Sequence, residues 1–399
     1  MNPVFNSLFL VKQKTKTMES KINRRNWFKS TISLTAGLAV GSSLSQQLMA
    51  APVSHAEMDF FADKKKAGGK IRLNSNENPY GPSEKARQAV VQILGEANRY
   101  PFKETGDLKA LIAAKEGVTP QHIHLGAGSG DILCQSAAAY GVEGGSVLSS
   151  YPVFPLLMNF AEVFKCRWDR VNANEQLEHD YDGMAAAVKS DTKLVFICNP
   201  NNPTGTVVNP AKIRSFCEEV SKKSVVFVDE AYIEFLEPSQ QVSMVELVKK
   251  DMNVIVSKTF SKIYGLAGLR VGYIVAKPEL IEKVYKYAGD IPLSQTAIAA
   301  AEASLGDESF MKMTREKNAS ARAVLTDYLD KKNLFCGKPV TNVVFFPAPR
   351  DGKTILARME DKGYLMRVWD YKEKEWCRVS IGTIDEMKGF VKAFDEVVA

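Results

Sequence analysis

Histidine and tryptophan are scarce in this 399-residue chain, four of each. His55 falls in the leader, while His122 and His124 alternate as strand residues do. No histidine–cysteine cluster has metal-ligand spacing, so a metal centre is not expected. The six cysteines are irregularly spaced with no Cys-x-x-Cys, and Cys198 sits inside an apolar run. They are expected to be free, mostly buried thiols. Beyond the leader the chain also lacks an excess of either charge. Seven of the 52 basic residues but only one of the 46 acids precede Glu57, leaving 45 of each from there on. The balance gives no support to a nucleic-acid footprint. The uncharged stretch from Ser30 to Ala56 holds Ser42, Ser43, Ser45, Gln46 and Gln47, too polar for a comfortable membrane span. Internal repeats and low-complexity blocks are missing from the rest.

The leader reads Asn23-Arg24-Arg25-Asn26-Trp27-Phe28-Lys29, followed by 27 residues without a formal charge. A paired arginine, two aromatics and a weakly apolar Gly/Ser-rich run resemble a twin-arginine export signal, with small-residue cleavage sites near Ala50 or Ala56. Met18 is a second candidate start. The signal implies a periplasmic protein whose only dealing with the membrane is export; a cytoplasmic location follows if the leader serves another purpose. Twin-arginine cargo folds in a reducing cytoplasm, where disulfides seldom persist. A charged linker, residues 57–72, leads into the folded part.

From there short apolar runs alternate with helical patterns. His122–Leu125, Ser146–Ser149, Leu194–Cys198, Val225–Val228, Val254–Val256 and Val271–Val275 read as strands. The pattern predicts an α/β fold with a mostly parallel sheet flanked by helices. After Gly306 a long helical stretch, then Asn342–Phe346, Gly363–Tyr371 and Trp376–Ile381, predict a smaller α+β domain. The divisions expected are 73–97 as the N-terminal part of that small domain, 98–300 as the large domain and 301–399 as the small C-terminal domain.

Chemistry concentrates at the ends of the predicted strands. Gly126-Ala127-Gly128-Ser129-Gly130-Asp131 joins a strand to a helix, where backbone N–H groups and the helix N-terminus favour a phosphate. Tyr151-Pro152-Val153-Phe154 follows another strand. Asn199-Pro200-Asn201-Asn202-Pro203-Thr204-Gly205 places side-chain amides at the carboxyl edge of the sheet, where ligands of α/β proteins bind. Val228-Asp229-Glu230-Ala231-Tyr232 ends an apolar strand in an acid that needs a cationic partner. Thr259-Phe260-Ser261-Lys262-Ile263-Tyr264-Gly265-Leu266-Ala267-Gly268-Leu269-Arg270 sets a lysine in a small-residue loop, with Arg270 eight residues on. Ser-Lys precedes both Lys258 and Lys262, so the dipeptide does not choose between them. Arg378 lies in Arg378-Val379-Ser380-Ile381-Gly382-Thr383, and Arg367 closes Gly363-Tyr364-Leu365-Met366-Arg367.

In this order, from about Leu73 onward, these segments resemble fold-type-I pyridoxal-phosphate aminotransferases, most closely the histidinol-phosphate aminotransferase group. The resemblance implies pyridoxal 5'-phosphate held in the large domain as a Schiff base to Lys262, chosen over Lys258 by the spacing to Arg270. It implies Asp229 on the pyridine nitrogen, Asn202 and Tyr232 on the phenolic oxygen, and Phe154 stacked on the ring. Ser129, Gly130, Asp131, Thr259, Ser261 and Arg270 correspond to phosphate-binding positions. Many relatives carry acids at both 130 and 131, so Gly130 is a departure. Arg378 corresponds to the arginine that pairs with a substrate carboxylate, Arg367 to one that reaches a distal anionic group, and Tyr80 to a substrate-side aromatic. Tyr100 corresponds to a tyrosine that crosses a homodimer interface to the partner's cofactor phosphate. The implied reaction moves an amino group between an amino acid or amine and a 2-oxo acid such as 2-oxoglutarate. Phosphothreonine-type decarboxylases share nearly all these motifs and stand as the alternative.

Overall fold

The computed structural model describes residues 69–289 and 292–399. The expected export signal and most of the linker lie outside the described residues. Among the described residues twelve strands follow in chain order: β1 Ile71–Arg72, β2 Ile123–Gly126, β3 Ser146–Tyr151, β4 Arg167–Asn172, β5 Thr192–Cys198, β6 Val225–Asp229, β7 Val254–Thr259, β8 Gly272–Val275, β9 Val343–Pro347, β10 Tyr364–Leu365, β11 Arg367–Tyr371 and β12 Lys374–Ser380.

Seven of them form one sheet in the order β2-β8-β7-β6-β5-β3-β4. Only β8 runs antiparallel to its neighbours β2 and β7. The other pairings are parallel, as the alternating sequence predicts. Leu194–Cys198, Val226–Asp229 and Val254–Thr259 are buried along their length, which is why they read as near-continuous apolar runs rather than alternating ones. β4 is absent from the sequence reading. Its residues, Arg-Trp-Asp-Arg-Val-Asn, are half-buried or exposed throughout, because it is an edge strand kept polar on its open side.

Helix Phe102–Glu116 ends at Gly117, whose φ of 68° reverses the chain. Helix Ser129–Gly141 covers the sheet, and nine of its thirteen residues, every one from Ile132 on except Cys134, are buried. A first apolar core runs from Ala86 to Met311 around the large sheet. A second joins Leu73, the far end of helix Glu308–Lys331, β9, β12, helix Gly352–Asp361 and helix Ile384–Val398. β1 pairs with β10, and β11-β12-β9 form an antiparallel sheet. The N-terminal segment therefore starts within the C-terminal layer and then passes along the carboxyl ends of the large sheet.

All six cysteines are free, five of them buried and Cys134 half-buried. Denatured without reductant, the chain should titrate six thiols, and reductant should leave the native Tm unchanged. Fewer than six reactive groups would contradict this.

Candidate active site

The carboxyl ends of β5, β6 and β7 converge with the turn after β2, so the site sits where the sheet's backbone dipoles and loops open to a ligand. At one end the Gly126–Asp131 turn enters helix Ser129–Gly141 through Gly128, φ 81°, with no side chain capping the first N–H groups. Uncapped helical N–H groups and the helix dipole attract an anion. A Cβ on Gly128 would overlap the Arg270 guanidinium, which lies across this turn. Arg270 takes φ 60° and donates from Nη1 to Ser261 Oγ at 3.3 Å and Ala267 O at 3.0 Å. Among the described residues it makes no ion pair, so its charge is left for the ligand. Thr259 Oγ1 accepts from Ser261 N at 3.2 Å. Asp131 is turned back onto the loop, accepting from Ala127 N at 3.1 Å. Gly130 offers only backbone, with Leu156 3.4 Å from where its Cβ would be. Ser129, Thr259, Ser261 and Arg270 are thus brought together, while Asp131 shapes the turn rather than facing the cavity.

At the sheet edge Asp229, Asn202 and Tyr232 are all buried. Asp229 accepts from Ala231 N at 3.2 Å, and burial pushes its carboxyl up to about 7 despite that bond and the nearby Lys262. Tyr232 OH accepts from Asn76 Nδ2 at 3.0 Å, leaving its own proton to give. Phe154 packs half-buried against the large core. Lys262 Nζ lies 5.6 Å from the Tyr232 ring centroid and donates to Ser75 O at 3.4 Å. Burial first, then the Arg378 charge, hold its amine down to about 8, with Asp229 and Glu77 opposing. Lys258 is the other kind of lysine. It donates to both Glu116 oxygens at 3.0 Å and lies 3.7 Å from Glu230. Lys258 is thus ion-paired, whereas Lys262 makes no ion pair among the described residues.

Above these, Arg367 and Arg378 face each other directly on the β11–β12 ladder. Both donate to Asn74 O, Arg367 from Nε at 2.8 Å and Arg378 from Nη2. Arg378 Nη1 donates to Asn202 Oδ1 at 3.5 Å. Its Nε is buried with no partner, and burial brings the guanidinium down to about 10. Tyr80 is held elsewhere, with Lys317 Nζ 4.9 Å over its ring and Glu386 and Asp385 nearby. Tyr100 is 77% exposed and rests on Phe102, ring centroids 5.8 Å apart, away from this chain's own cavity.

The segment Leu73–Pro82, of which the sequence reading gave a role to Tyr80 alone, lies in the site. Asn74 O receives both arginines, Ser75 O receives Lys262, and Asn76 holds Tyr232. Asn76, at φ 53°, also exchanges hydrogen bonds with Ser380, and Asn78 Nδ2 donates to Ile263 O at 2.7 Å beside the lysine. Three asparagines at alternate positions, a residue type tolerant of left-handed backbone, were the available signal.

The arrangement defines an aminotransferase. The family model for aminotransferase class I and II matches residues 68–394, and the chain belongs to that family. Histidinol-phosphate aminotransferase 1 of Cupriavidus pinatubonensis is 36% identical over 360 residues, 89% of this chain and 95% of that protein. The solved histidinol-phosphate aminotransferase from Sinorhizobium meliloti, in complex with pyridoxal-5'-phosphate, superposes with a TM-score of 0.77 at 26% identity, covering 90% of this chain and 98% of that one. L-threonine-O-3-phosphate decarboxylase from Porphyromonas gingivalis shares the fold, with a TM-score of 0.70 at 19% identity over 82% and 98% of the two chains. Pyridoxal 5'-phosphate is the cofactor, and the residues present fit it. The uncapped turn under Arg270 suits a phosphate, the buried Asp229 suits a cationic ring nitrogen, and the Lys262 amine suits an aldehyde.

Replacing Gly128 by Ala adds a clash and strained backbone costing about 1–2 kcal/mol, so cofactor affinity should fall about tenfold or more in an equilibrium titration. Cofactor uptake by the apoprotein should also quicken as pH rises through about 8 and then level off, because the uncharged Lys262 amine does the capturing. A rate indifferent to pH across that range would contradict the role of Lys262.

Proposed function

We propose that this enzyme moves an amino group from an exported-compartment amine donor, an amino acid or a related amine, to a 2-oxo acid such as 2-oxoglutarate. The bound cofactor supplies an aldehyde that accepts the amino group and a ring that draws electrons from the donor carbon. The side chains do the rest. Arg378 clamps the carboxylate of a substrate, and the observation that carries this reading is its buried, unpartnered Nε beside Asn202. A planar guanidinium with an idle N–H matches a bidentate carboxylate, which restores the missing hydrogen bond. Arg367, on the same face, is exposed and takes a second anionic group.

Lys262 acts as general base at the donor carbon and later returns the proton, a task suited to an amine brought near neutral pH. Asp229 keeps the ring nitrogen charged, and Tyr232 with Asn202 holds the phenolic oxygen. Ser129, Thr259, Ser261 and Arg270 hold the phosphate. Tyr100, exposed on the surface with Phe102, reaches the partner's phosphate across a homodimer. Of the expected divisions, 98–300 and 301–399 are proposed as the large and small domains, while within 73–97 Leu73 packs in the core of the small domain and Ala86 in that of the large one. Histidinol phosphate, the donor in the names of the relatives, satisfies the anionic requirement. A protein carried out by the twin-arginine leader would instead meet free amino acids and amines, and these are the donors proposed.

Borohydride reduction of the holoprotein should fix the cofactor on the peptide carrying Lys262. Lys262→Ala should abolish both the adduct and turnover, and an active Lys262→Ala enzyme would rule out the assignment. Asp229→Ala should lose most activity while still binding some cofactor. Donors are then screened by the 2-oxoglutarate-reversible shift to the amine form of the cofactor; release of carbon dioxide in its place would make the enzyme a decarboxylase. Arg24→Lys with Arg25→Lys should keep the protein in the cytoplasm, and unchanged periplasmic recovery would remove the export reading.

A further inference from the structure

Behind the site, on the opposite face of the sheet from Asp229 and Thr259, lies a cluster of buried charge that the reaction does not use. Lys258, Glu116 and Glu230 have side-chain exposures of 9%, 7% and 2%. Lys258 Nζ donates to both oxygens of Glu116 at 3.0 Å and stands 3.7 Å from Glu230. Glu116 also accepts from Tyr273 OH at 2.8 Å. Glu230 accepts from Ser243 Oγ and from Met244 N, each at 2.7 Å. Glu234 is buried close by, and Lys115 Nζ donates to Tyr264 OH at 2.9 Å. Taking such groups out of water costs several kcal/mol per ion, and an apolar replacement of similar volume is often as stable. Stability therefore gives no reason to build the cluster, whereas its position does.

Each member is tied to a segment that carries a site residue. Glu230 follows Asp229, and side chains of consecutive strand residues point to opposite faces, so whatever holds Glu230 below the sheet aims Asp229 above it. Lys258 stands next to Thr259 on β7, one turn before Lys262. Its strand partner is Tyr273, whose hydroxyl completes the Glu116 contacts. Glu116 ends helix Phe102–Glu116, which begins just after the exposed Tyr100. Glu230 N also donates to Ser257 O at 2.8 Å, so the two segments are joined in their backbone as well.

We infer that Lys258, through Glu116 and Glu230, is a positioning residue that sets the mutual placement of Asp229 and the Lys262 loop. It touches neither cofactor nor substrate. A merely structural ion cluster would, when broken, lower Tm and leave the chemistry of the folded fraction alone. A positioning cluster must change the site itself, since misplacement on the order of 1 Å costs on the order of a hundredfold in rate. The geometry needs a cation at 258 more than it needs a lysine.

The inference rests on the reading of Lys262 and Asp229 as cofactor residues, and the test separates the two. Wild type, Lys258→Met, Lys258→Arg and the isosteric Glu230→Gln are purified as holoproteins, and the pH titration of the Lys262-bound cofactor's absorbance is recorded with kcat and KM. Expected are a midpoint displaced by half a pH unit or more in Lys258→Met and Glu230→Gln, a kcat loss of about tenfold to a hundredfold with KM changed much less, and recovery of most of both in Lys258→Arg. If Lys258→Met does not fold, Glu230→Gln decides. Folded variants that keep the wild-type midpoint and kcat overturn the inference while the site assignment stands. Absence of any Lys262-linked band in the wild type sinks the site assignment itself.

Discussion

Everything in this molecule turns on one ammonium that is costly to keep charged. Lys262 is removed from water, Arg378 and Arg270 add repulsion of the same sign, and Asp229 and Glu77 only partly offset them, so the amine sits near 8 instead of above 10. Each influence comes from a different part of the chain. Asp229 arrives on β6, Arg270 on the loop before β8, Arg378 on β12, and Glu77 on the segment after β1. The fold assembles an electrostatic environment that none of those segments could make alone, and the amine's reactivity follows from that assembly.

The segment from Asn74 to Asn78 does much of that assembling. It carries no reactive group, yet its carbonyls take N–H groups from Arg367, Arg378 and Lys262, and its amides hold Tyr232 and Ile263. Asn342 Nδ2 in turn donates to Asn76 O at 3.0 Å, tying the segment to the C-terminal layer. Carbonyl oxygens that satisfy part of each cation's hydrogen bonding leave the rest directed at a ligand. For Arg378 that remainder includes the Nε–H, which has no partner.

Much of this was legible in the sequence because the strands are buried on both faces and end in abrupt polar motifs. Asn202, Asp229 and Lys262 each lie at or just beyond the end of an apolar run, and the spacing to Arg270 singles out Lys262 from Lys258. β4 was not legible, since Arg167, Asp169 and Arg170 obscure its period and its partner β3 lies twenty residues back. Asn76 and Asn78 went unassigned for a different reason. Turn chemistry explains asparagines locally, and only the tertiary fold shows that the turn lies across the carboxyl ends of a sheet formed later in the chain. Asp131 shows the converse: an acid at a family position spends its carboxylate on Ala127 N–H, and a Gly at 130 removes the neighbour that would have competed for Arg270.

The two lysines four residues apart show how little residue type alone decides. Lys258 is as buried as a lysine can be, yet three carboxylates within electrostatic reach raise it above the ordinary range. Lys262, facing arginines, moves the other way. Asp229 and Glu230 repeat the contrast among acids: both are lifted to about 7 by burial, but only Glu230 has a lysine and two hydrogen-bond donors within its own chain. Asp229 has one backbone N–H and a neighbouring amine. In the protein alone burial makes ionising that carboxyl costly, so its contribution is full below the ordinary carboxyl range and falls away as pH rises to about 7. A cation delivered by the ligand reverses the sign of this effect. The sheet thus separates two charge systems by the alternation of its side chains, one closed upon itself and one left open on the side where the cofactor binds.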